Sequence, residues 1–186
     1  MELLPDMGLG LVNGWILVAI FYSVYIVILR LFPRDVVKRL YDRSGWTKKQ
    51  QTYVRIGFPF AIAGMVLIIL TPLKVGQAIF TLGIVGYLFG FAGFIIALIN
   101  FKNTPMDQPA SKGLYRISRN PQWVSFAIAI LSMSLTVGSG VAFLCLFVRV
   151  VFNHYRILGE EKACLEQYGD TYRQYMNDVP RYLLIF

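Results

Sequence analysis

Residues 123–158 read "WVSFAIAILSMSLTVGSGVAFLCLFVRVVFNHYRIL", an almost unbroken apolar stretch. These 36 positions are too many for one membrane-spanning helix, which needs ~20 residues, and few for two helices with a long connection. The segment "TVGSG" at 136–140 stands in the middle, and its Gly-Ser-Gly step is typical of a turn. The stretch therefore predicts two membrane helices joined as a tight hairpin.

Three earlier apolar segments also have the length of membrane-spanning helices. They run from about Leu11 to Phe32, from about Val54 to Leu73 and from about Val75 to Phe101. In composition, 56% of the chain is hydrophobic and 15% is charged. The sequence therefore predicts an all-α polytopic membrane protein with about five transmembrane helices. We expect a single membrane domain over residues 1–186, with a cytosolic helical segment at its C-terminal end.

The basic residues predict the orientation of this domain. If the N-terminus lies outside, only Lys74 of the 18 Lys and Arg residues falls on the outer side. This is a strong positive-inside pattern. The net charge of +8 then reflects orientation and contact with anionic lipid headgroups, and nucleic acid is not an expected partner. We expect an integral protein of a bacterial inner membrane, with the C-terminus in the cytosol and membrane lipids as partners.

Small residues and cysteines have structural explanations. Gly83, Gly86, Gly90 and Gly93 form one stripe along the third predicted helix, which allows close approach of a neighbouring helix. Packing within the chain is the expected use of this stripe, and a dimer face is the alternative. The two cysteines, at 145 and 164, have neither metal-site spacing nor a disulfide pattern, so no metal is predicted.

One face of the last predicted membrane helix is polar. Arg149, Asn153, Arg156 and Glu160 follow one another at steps of four, three and four, so they share a helical face. A charged group at membrane depth is costly unless it faces a polar cavity or has a partner. The stripe favours such a cavity; the alternative is that Arg149 extends along the helix to the inner surface.

Two segments carry a family resemblance. "KGLYRISRNPQWVS" at 112–125 precedes the hairpin, and "EEKACLEQYGDTYRQYMNDVPRYL" at 160–183 follows it. Together they resemble the isoprenylcysteine carboxyl methyltransferase and phospholipid methyltransferase family of integral membrane enzymes, in a bacterial-type form. The resemblance covers residues 100–186, a methyltransferase core of cofactor loop, hairpin and C-terminal helix. The matching residues are Gly113, Tyr115, Arg119, Asn120, Pro121, Glu160, Glu161, Tyr168, Gly169, Tyr172, Tyr175, Val179 and Arg181.

The resemblance implies S-adenosylmethionine as the methyl donor, bound at the cytosolic side. It also implies a lipophilic or membrane-embedded acceptor, such as an isoprenylcysteine-like carboxylate, a phospholipid amine or a similar small lipophile. No glycine-rich strand-turn-helix fingerprint is present, so a Rossmann-type cofactor domain is not expected. The residues expected to bind the cofactor are Tyr115, Arg119, Asn120, Pro121, Arg156, Glu160 and Glu161.

The catalytic residues depend on the acceptor. A carboxylate acceptor needs no general base and only a cation to position it, for which Arg149 and Arg181 are the candidates. An amine or thiol acceptor must lose a proton, and Glu161 is then the candidate base. Asn120 stands where eukaryotic family members have His, which favours hydrogen bonding over proton transfer at this position.

Two other functions are compatible with the sequence. One is an NADPH-dependent membrane reductase of the sterol and steroid reductase type. The resemblance of this chain to those reductases is distant, and the chain is short for one. The other is a non-catalytic membrane scaffold that packs through the glycine stripe. The acceptor and the oligomeric state do not follow from the sequence.

Overall fold

The computed structural model describes residues 1–183; residues 184–186, the last three of the predicted membrane domain, lie outside the described residues. The described chain is all-α, as predicted, and contains no strand of its own. A short 3-10 turn at Gly113–Arg116 precedes the hairpin. The helices are α1 (Trp15–Leu31), α2 (Arg34–Leu40), α3 (Lys48–Leu70), α4 (Ala78–Lys102), α5 (Pro121–Thr136), α6 (Gly140–Tyr168) and α7 (Asp170–Asp178).

Helix lengths confirm a polytopic membrane protein. α3, α4 and α6, with 23, 25 and 29 residues, are long and apolar enough to cross a membrane. α1 and α5 are apolar helices of 17 and 16 residues. At 1.5 Å per residue these two reach about 24–26 Å, close to the ~30 Å of a hydrocarbon core. The five predicted membrane helices therefore correspond to α1, α3, α4, α5 and α6.

The predicted hairpin is formed by α5 and α6. Only three residues separate the two helices, and among them Gly138 has φ +66°, the left-handed region that favours glycine. Ser139 caps α6, because its hydroxyl accepts a hydrogen bond from the Ala142 amide at 3.2 Å. The chain start braces this turn: the Glu2 amide donates to the Gly138 carbonyl at 3.0 Å, and the Gly140 amide donates to the Glu2 carbonyl at 2.8 Å.

The glycine stripe of α4 is covered by α5. A Cβ atom placed on Gly83 would lie 2.6 Å from the Thr136 amide nitrogen, and one on Gly90 would lie 2.5 Å from the Ala129 amide nitrogen. Real Cβ atoms do not approach other atoms this closely, so glycine is required at both positions. The stripe therefore serves packing within the chain, as expected.

α1, α4 and α6 finish at one end of the bundle, where α3 and α5 begin; we call this the basic end. Here Gly45 lies against Ala163, and Trp46 lies against Gly159 in α6. Gly169, with φ +54°, separates α6 from α7. α7 then packs against the segment that precedes α5, which brings the C-terminal residues beside the start of the hairpin.

Candidate active site

Glu161 is the centre of a buried ion-pair cluster at the basic end. Its Oε1 atom accepts hydrogen bonds from Arg119 Nε at 3.1 Å and Asn120 Nδ2 at 3.0 Å. Its Oε2 atom accepts from Arg181 Nε at 2.9 Å. The Glu161 and Arg119 side chains are only 5% and 3% exposed. Buried charges are tolerated only when paired and hydrogen-bonded, and this Glu161 cluster meets that condition.

Arg119 also holds the C-terminal segment in place. Its Nη1 atom donates to the Met176 carbonyl at 2.6 Å and the Val179 carbonyl at 2.7 Å. Its backbone amide donates to the Pro180 carbonyl at 2.9 Å. These carbonyls lie at and just beyond the end of α7, so one guanidinium satisfies backbone groups that the helix leaves free. The loop before α5 and the C-terminal segment therefore form one structural unit.

Glu160 belongs to a second cluster, with Arg156 and Trp123. Its Oε1 atom accepts from Arg156 Nε at 2.7 Å, and its Oε2 atom accepts from the Trp123 indole N–H at 2.8 Å. The Arg156 guanidinium lies 4.2 Å from the centroid of the Trp123 ring, a cation–π contact. The Glu160 side chain is 25% exposed, so this Glu160 cluster is accessible where the Glu161 cluster is not.

Tyr115 connects the 3-10 turn to the start of α5 and to α7. Its hydroxyl accepts a hydrogen bond from Gln122 Nε2 at 2.8 Å. Its carbonyl accepts one from the Tyr175 hydroxyl of α7 at 2.6 Å. Burial raises the pKa of the Tyr115 phenol well above its usual range, and burial also raises the pKa of Tyr172 and of Tyr175. These phenols therefore stay neutral and act as hydrogen-bonding groups.

The two clusters face a polar cavity of about 340 Å³, which α1, α2, α4, α5, α6, α7 and the loop residues before α5 enclose. This volume is within the range of ~300–1,000 Å³ that is common for small-molecule sites. Six of the seven predicted cofactor residues line it: Tyr115, Arg119, Asn120, Arg156, Glu160 and Glu161. Pro121, the seventh, is buried at the first position of α5.

An apolar groove of about 490 Å³ runs between α5 and α6. Its walls are mostly aliphatic, with Ala127, Ile130 and Leu131 on the α5 side. Trp123, Phe126 and Arg149 line both the groove and the polar cavity. The two spaces therefore adjoin at these three residues, which places a polar part and a lipid-like part of the site side by side.

A family model, the phospholipid methyltransferase model, matches residues 60–171. The chain belongs to the phospholipid methyltransferase family. Membership indicates a membrane methyltransferase, and it confirms the resemblance drawn from the two segments around the hairpin. Searches of curated proteins and of solved structures found no match. The matched region of this family member runs from within α3 to the start of α7, so it includes the Glu160 cluster, Glu161 with Arg119 and Asn120, and the α5–α6 hairpin, whereas Arg181 lies beyond it.

Arg149 lies deep within α6, with a buried guanidinium nitrogen. It lies nine residues inside α6 from Gly140, about 14 Å at 1.5 Å per residue. Its Nη1 atom is buried, lies 3.4 Å from where a Cβ on Gly57 of α3 would be, and has no hydrogen-bond partner among residues 1–183. The alternative that Arg149 extends along the helix to the inner surface is therefore not what the structure shows.

The other two predicted catalytic residues, Arg181 and Glu161, pair with each other. Arg181 lines neither the cavity nor the groove formed by the described residues, and its guanidinium pairs with Glu161. Glu161 lines the cavity, but both of its oxygen atoms already accept hydrogen bonds. The geometry therefore favours a structural role for this pair; their participation in catalysis stays a prediction.

Arg39 of α2 is a site residue that the sequence did not reveal. Its Nη2 atom donates to the Gln108 carbonyl at 2.7 Å, and its Nη1 atom donates to the Pro105 carbonyl at 3.1 Å. Its guanidinium lies 4.8 Å from the centroid of the Phe101 ring, and it lines the polar cavity. In the sequence Arg39 is one of several basic residues after the first membrane helix, where the positive-inside pattern explains all of them equally well.

Proposed function

We propose that this protein transfers a methyl group from S-adenosylmethionine to a lipophilic acceptor at the junction of the polar cavity and the apolar groove. The observation that carries the proposal is the sharing of Trp123, Phe126 and Arg149 by the two spaces. A hydrophilic donor and a lipid-soluble acceptor require sites of opposite polarity that meet, and the family is one of membrane methyltransferases.

The residues of the polar cavity fit the chemical groups of the donor. Glu160 is partly exposed and can accept hydrogen bonds from a ribose diol or pair with an ammonium group. Arg39 and Arg156 line the same cavity and can pair with a carboxylate. Tyrosine and tryptophan rings are available to stack on adenine and to face a sulfonium cation; those lining the cavity are Tyr22, Tyr25, Tyr41, Tyr115, Trp123, Tyr168, Tyr172 and Tyr175.

The chemistry that the donor supplies when bound is an electrophilic methyl group on a positively charged sulfur. The chain contributes position and environment, which are the main sources of rate in such a displacement. The Glu161 cluster fixes the loop before α5 against the C-terminal segment, and the Glu160 cluster fixes Trp123 at the junction. Arg39 of α2 lines the cavity and donates to the Gln108 carbonyl, and we propose that this contact limits access of water.

We further propose that the basic end faces the cytosol and the N-terminus lies outside, which the distribution of Lys and Arg supports. The test places single cysteines at Lys74→Cys and Lys112→Cys after both native cysteines are replaced by serine. A membrane-impermeant maleimide applied to intact cells should label only the Lys74→Cys protein. Labelling of the Lys112→Cys protein alone would show the opposite orientation.

Binding of the donor is tested on the purified protein in a neutral detergent by isothermal titration calorimetry. We expect saturable binding of S-adenosylmethionine that Glu160→Gln and Arg156→Gln weaken at least about tenfold, since each loses a charge-assisted contact. The matched control is Glu166→Gln in the same helix, whose carboxylate is 60% exposed and pairs with Lys162. NADPH serves as the competing ligand, and binding of NADPH in place of S-adenosylmethionine would refute the proposal.

Transfer is tested separately with methyl-labelled S-adenosylmethionine and a membrane lipid extract. Label should appear in the organic phase with the native protein. It should fall to background with Glu160→Gln and stay at the native level with Glu166→Gln. A protein that binds the donor but labels no lipid fraction would contradict the lipophilic acceptor.

A further inference from the structure

The indole ring of Trp46 is buried at the basic end, outside both the cavity and the groove. Trp46 is 8% exposed and belongs to the connection between α2 and α3. It lines neither of the two spaces that the described residues form. Tryptophan near the end of a membrane helix commonly faces the lipid headgroups, which this ring does not. Trp46 also lies outside the matched residues 60–171, so family membership does not account for it.

Contacts on two sides fix the position of this ring. The Trp46 amide donates to the Arg43 carbonyl at 3.1 Å, and the Trp46 carbonyl accepts from Gln51 Nε2 at 3.4 Å. α3 begins directly afterwards, with Thr47 as its cap. A Cβ atom placed on Gly159 of α6 would lie 2.9 Å from Cδ1 of the ring. Glycine at position 159 therefore leaves room for the ring against α6.

The N–H group of the indole does not explain why tryptophan occupies this position. The Trp46 Nε1 atom is buried and has no hydrogen-bond partner among residues 1–183. A buried indole N–H commonly has a partner, and an unpaired one lowers stability. What the indole does supply is its ring face, which attracts a cation more strongly than the ring of phenylalanine or tyrosine.

A cation that this ring faces is the Arg156 guanidinium. The Arg156 Cζ atom lies over the Trp46 ring, 5.4 Å from its centroid, and over the Trp123 ring at 4.2 Å. The Arg156 Nε atom donates to Glu160 at 2.7 Å. Two rings and one carboxylate therefore hold the guanidinium. Within the described part of the chain its two Nη atoms have no hydrogen bond, and Arg156 lines the polar cavity.

We propose that Trp46 is a positioning residue for the methyl donor. Its ring fixes the Arg156 guanidinium, whose remaining N–H groups pair with the carboxylate of S-adenosylmethionine in the polar cavity. The inference rests on the proposed function and adds a residue that does not itself touch the donor. A long side chain loses conformational freedom when it binds a ligand, and a guanidinium that is already fixed loses less.

Calorimetry with S-adenosylmethionine tests this role on the purified full-length protein in neutral detergent. Trp46→Leu keeps an apolar side chain without a ring, and it should weaken donor binding about fivefold to tenfold. Trp46→Phe restores a ring and should bring the affinity back to within about twofold of the native value. Size-exclusion profiles and unfolding temperatures establish that each variant is folded. Failure of phenylalanine to restore binding in a folded protein would overturn the inference.

A double variant shows whether Trp46 acts through Arg156. If it does, Trp46→Leu should have no further effect once the guanidinium is absent, so the double variant with Arg156→Gln should bind the donor as Arg156→Gln does. If Trp46 only fills space, its full loss should add to that of Arg156→Gln, which would overturn the inference.

The matched control is Arg43→Gln. The Arg43 Cζ atom lies 5.3 Å from the centroid of the same Trp46 ring, but Arg43 does not line the polar cavity. This variant removes a guanidinium from the ring without removing a donor contact, so it should bind S-adenosylmethionine with native affinity. A loss as large as that of Trp46→Leu would contradict a specific role of Arg156.

A second variant moves the ring without altering Trp46 or Arg156. Gly159→Ala places a Cβ atom 2.9 Å from Cδ1 of Trp46, so the ring must shift, while alanine itself favours the helix. We expect a several-fold loss of donor affinity in a protein that stays folded. This variant decides the question if Trp46→Leu does not fold.

The results distinguish this inference from the proposed function. If the native protein does not bind S-adenosylmethionine, the proposed function fails. If the native protein binds the donor but Trp46→Leu, or Gly159→Ala in its place, binds with native affinity, only the positioning role of Trp46 is overturned. Native affinity in Arg156→Gln would overturn that role as well, because Trp46 would then have no donor contact to act through.

Discussion

Glu160 and Glu161 are neighbours in α6, yet their carboxylates belong to different clusters. Successive residues of an α-helix point about 100° apart, so Glu161 turns into the interior toward Arg119 while Glu160 faces the polar cavity with Arg156. One carboxylate fixes the C-terminal segment, and the other is accessible to a ligand. The two adjacent residues therefore divide structural and binding roles.

Removal of the Glu161 charge should destabilise the fold. Glu161→Gln leaves Arg119 and Arg181 without their shared carboxylate, and loss of one partner of a buried ion pair costs about 3–5 kcal/mol. Unfolding in detergent, followed by circular dichroism, measures the change. Glu166→Gln should alter the free energy of unfolding by less than about 0.5 kcal/mol. Equal stability of the two variants would show that the Glu161 cluster does not hold the C-terminal segment.

Loss of the Trp123 N–H should weaken donor binding while the fold persists. Trp123→Phe keeps an aromatic ring beside Arg156 but removes the hydrogen bond to Glu160 Oε2. A hydrogen bond to a charged group contributes about 1.5–3 kcal/mol, so S-adenosylmethionine affinity should fall by roughly tenfold or more. The control is Trp15→Phe, whose exposed indole N–H donates to the Gly10 carbonyl far from the site. Native affinity in Trp123→Phe would show that the hydrogen bond between Trp123 and Glu160 does not contribute to donor binding.

The buried tyrosines predict loss of stability at alkaline pH. Burial raises the pKa of Tyr115, Tyr172 and Tyr175 in the folded protein, whereas a tyrosine in an unfolded chain has a pKa of about 10. The folded state then binds more protons above pH ~10, so the free energy of unfolding falls as pH rises further. Below pH ~10 this contribution is fully present. Unfolding temperatures between pH 8 and 11.5 measure the slope.

Tyr175→Phe provides the comparison, because it removes one of the three ionisable groups and should flatten the alkaline decline. It should also lower stability at pH 8 by about 1–3 kcal/mol, since the Tyr115 carbonyl loses its donor. An alkaline slope as steep as that of the native protein would show that Tyr175 does not contribute.

The contact between α4 and α5 should not tolerate a methyl group. Gly90→Ala places a Cβ 2.5 Å from the Ala129 amide nitrogen, and overpacking of this kind costs about 1–3 kcal/mol. Gly8→Ala is the control, because its added Cβ meets no atom within 4 Å. Thermal unfolding in detergent compares the two. A Gly90→Ala protein as stable as Gly8→Ala would mean that the α4–α5 contact is looser than described.

Arg39 should control access to the polar cavity. Arg39→Gln loses the multiple donors that hold the carbonyls of Pro105 and Gln108, so hydrogen exchange should accelerate at residues 103–112. Donor affinity should fall several-fold because the cavity is less enclosed. Arg34→Gln, at an exposed position of the same helix, should change neither measurement. Unchanged hydrogen exchange in Arg39→Gln would show that Arg39 does not hold residues 103–112 in place.

Much of the fold was predictable because membrane helices depend on local composition. The lengths of the apolar segments gave the five membrane helices, and Gly-Ser-Gly gave the hairpin turn. The stripe that begins with Gly83 predicted a close helix contact, but a pattern on one helix does not name its partner. That α5 covers the stripe depends on the backbone of residues about 40 to 50 positions away, which no local signal encodes.

The sequence by itself determined the membrane class, the helix boundaries to within a few residues and, through short motifs around the hairpin, the family and six of the residues that line the polar cavity. These properties depend on hydropathy, turn chemistry and residue identity, which are local. Tertiary structure alone decided that Glu161 is buried in an ion-pair cluster while Glu160 is partly exposed, that Arg39 lines the cavity, and that Arg149 lies beside both the polar cavity and the apolar groove with its Nη1 atom unpartnered among residues 1–183. Pairing and burial depend on which distant groups come together, because the energy of a charge is set by its neighbours in space.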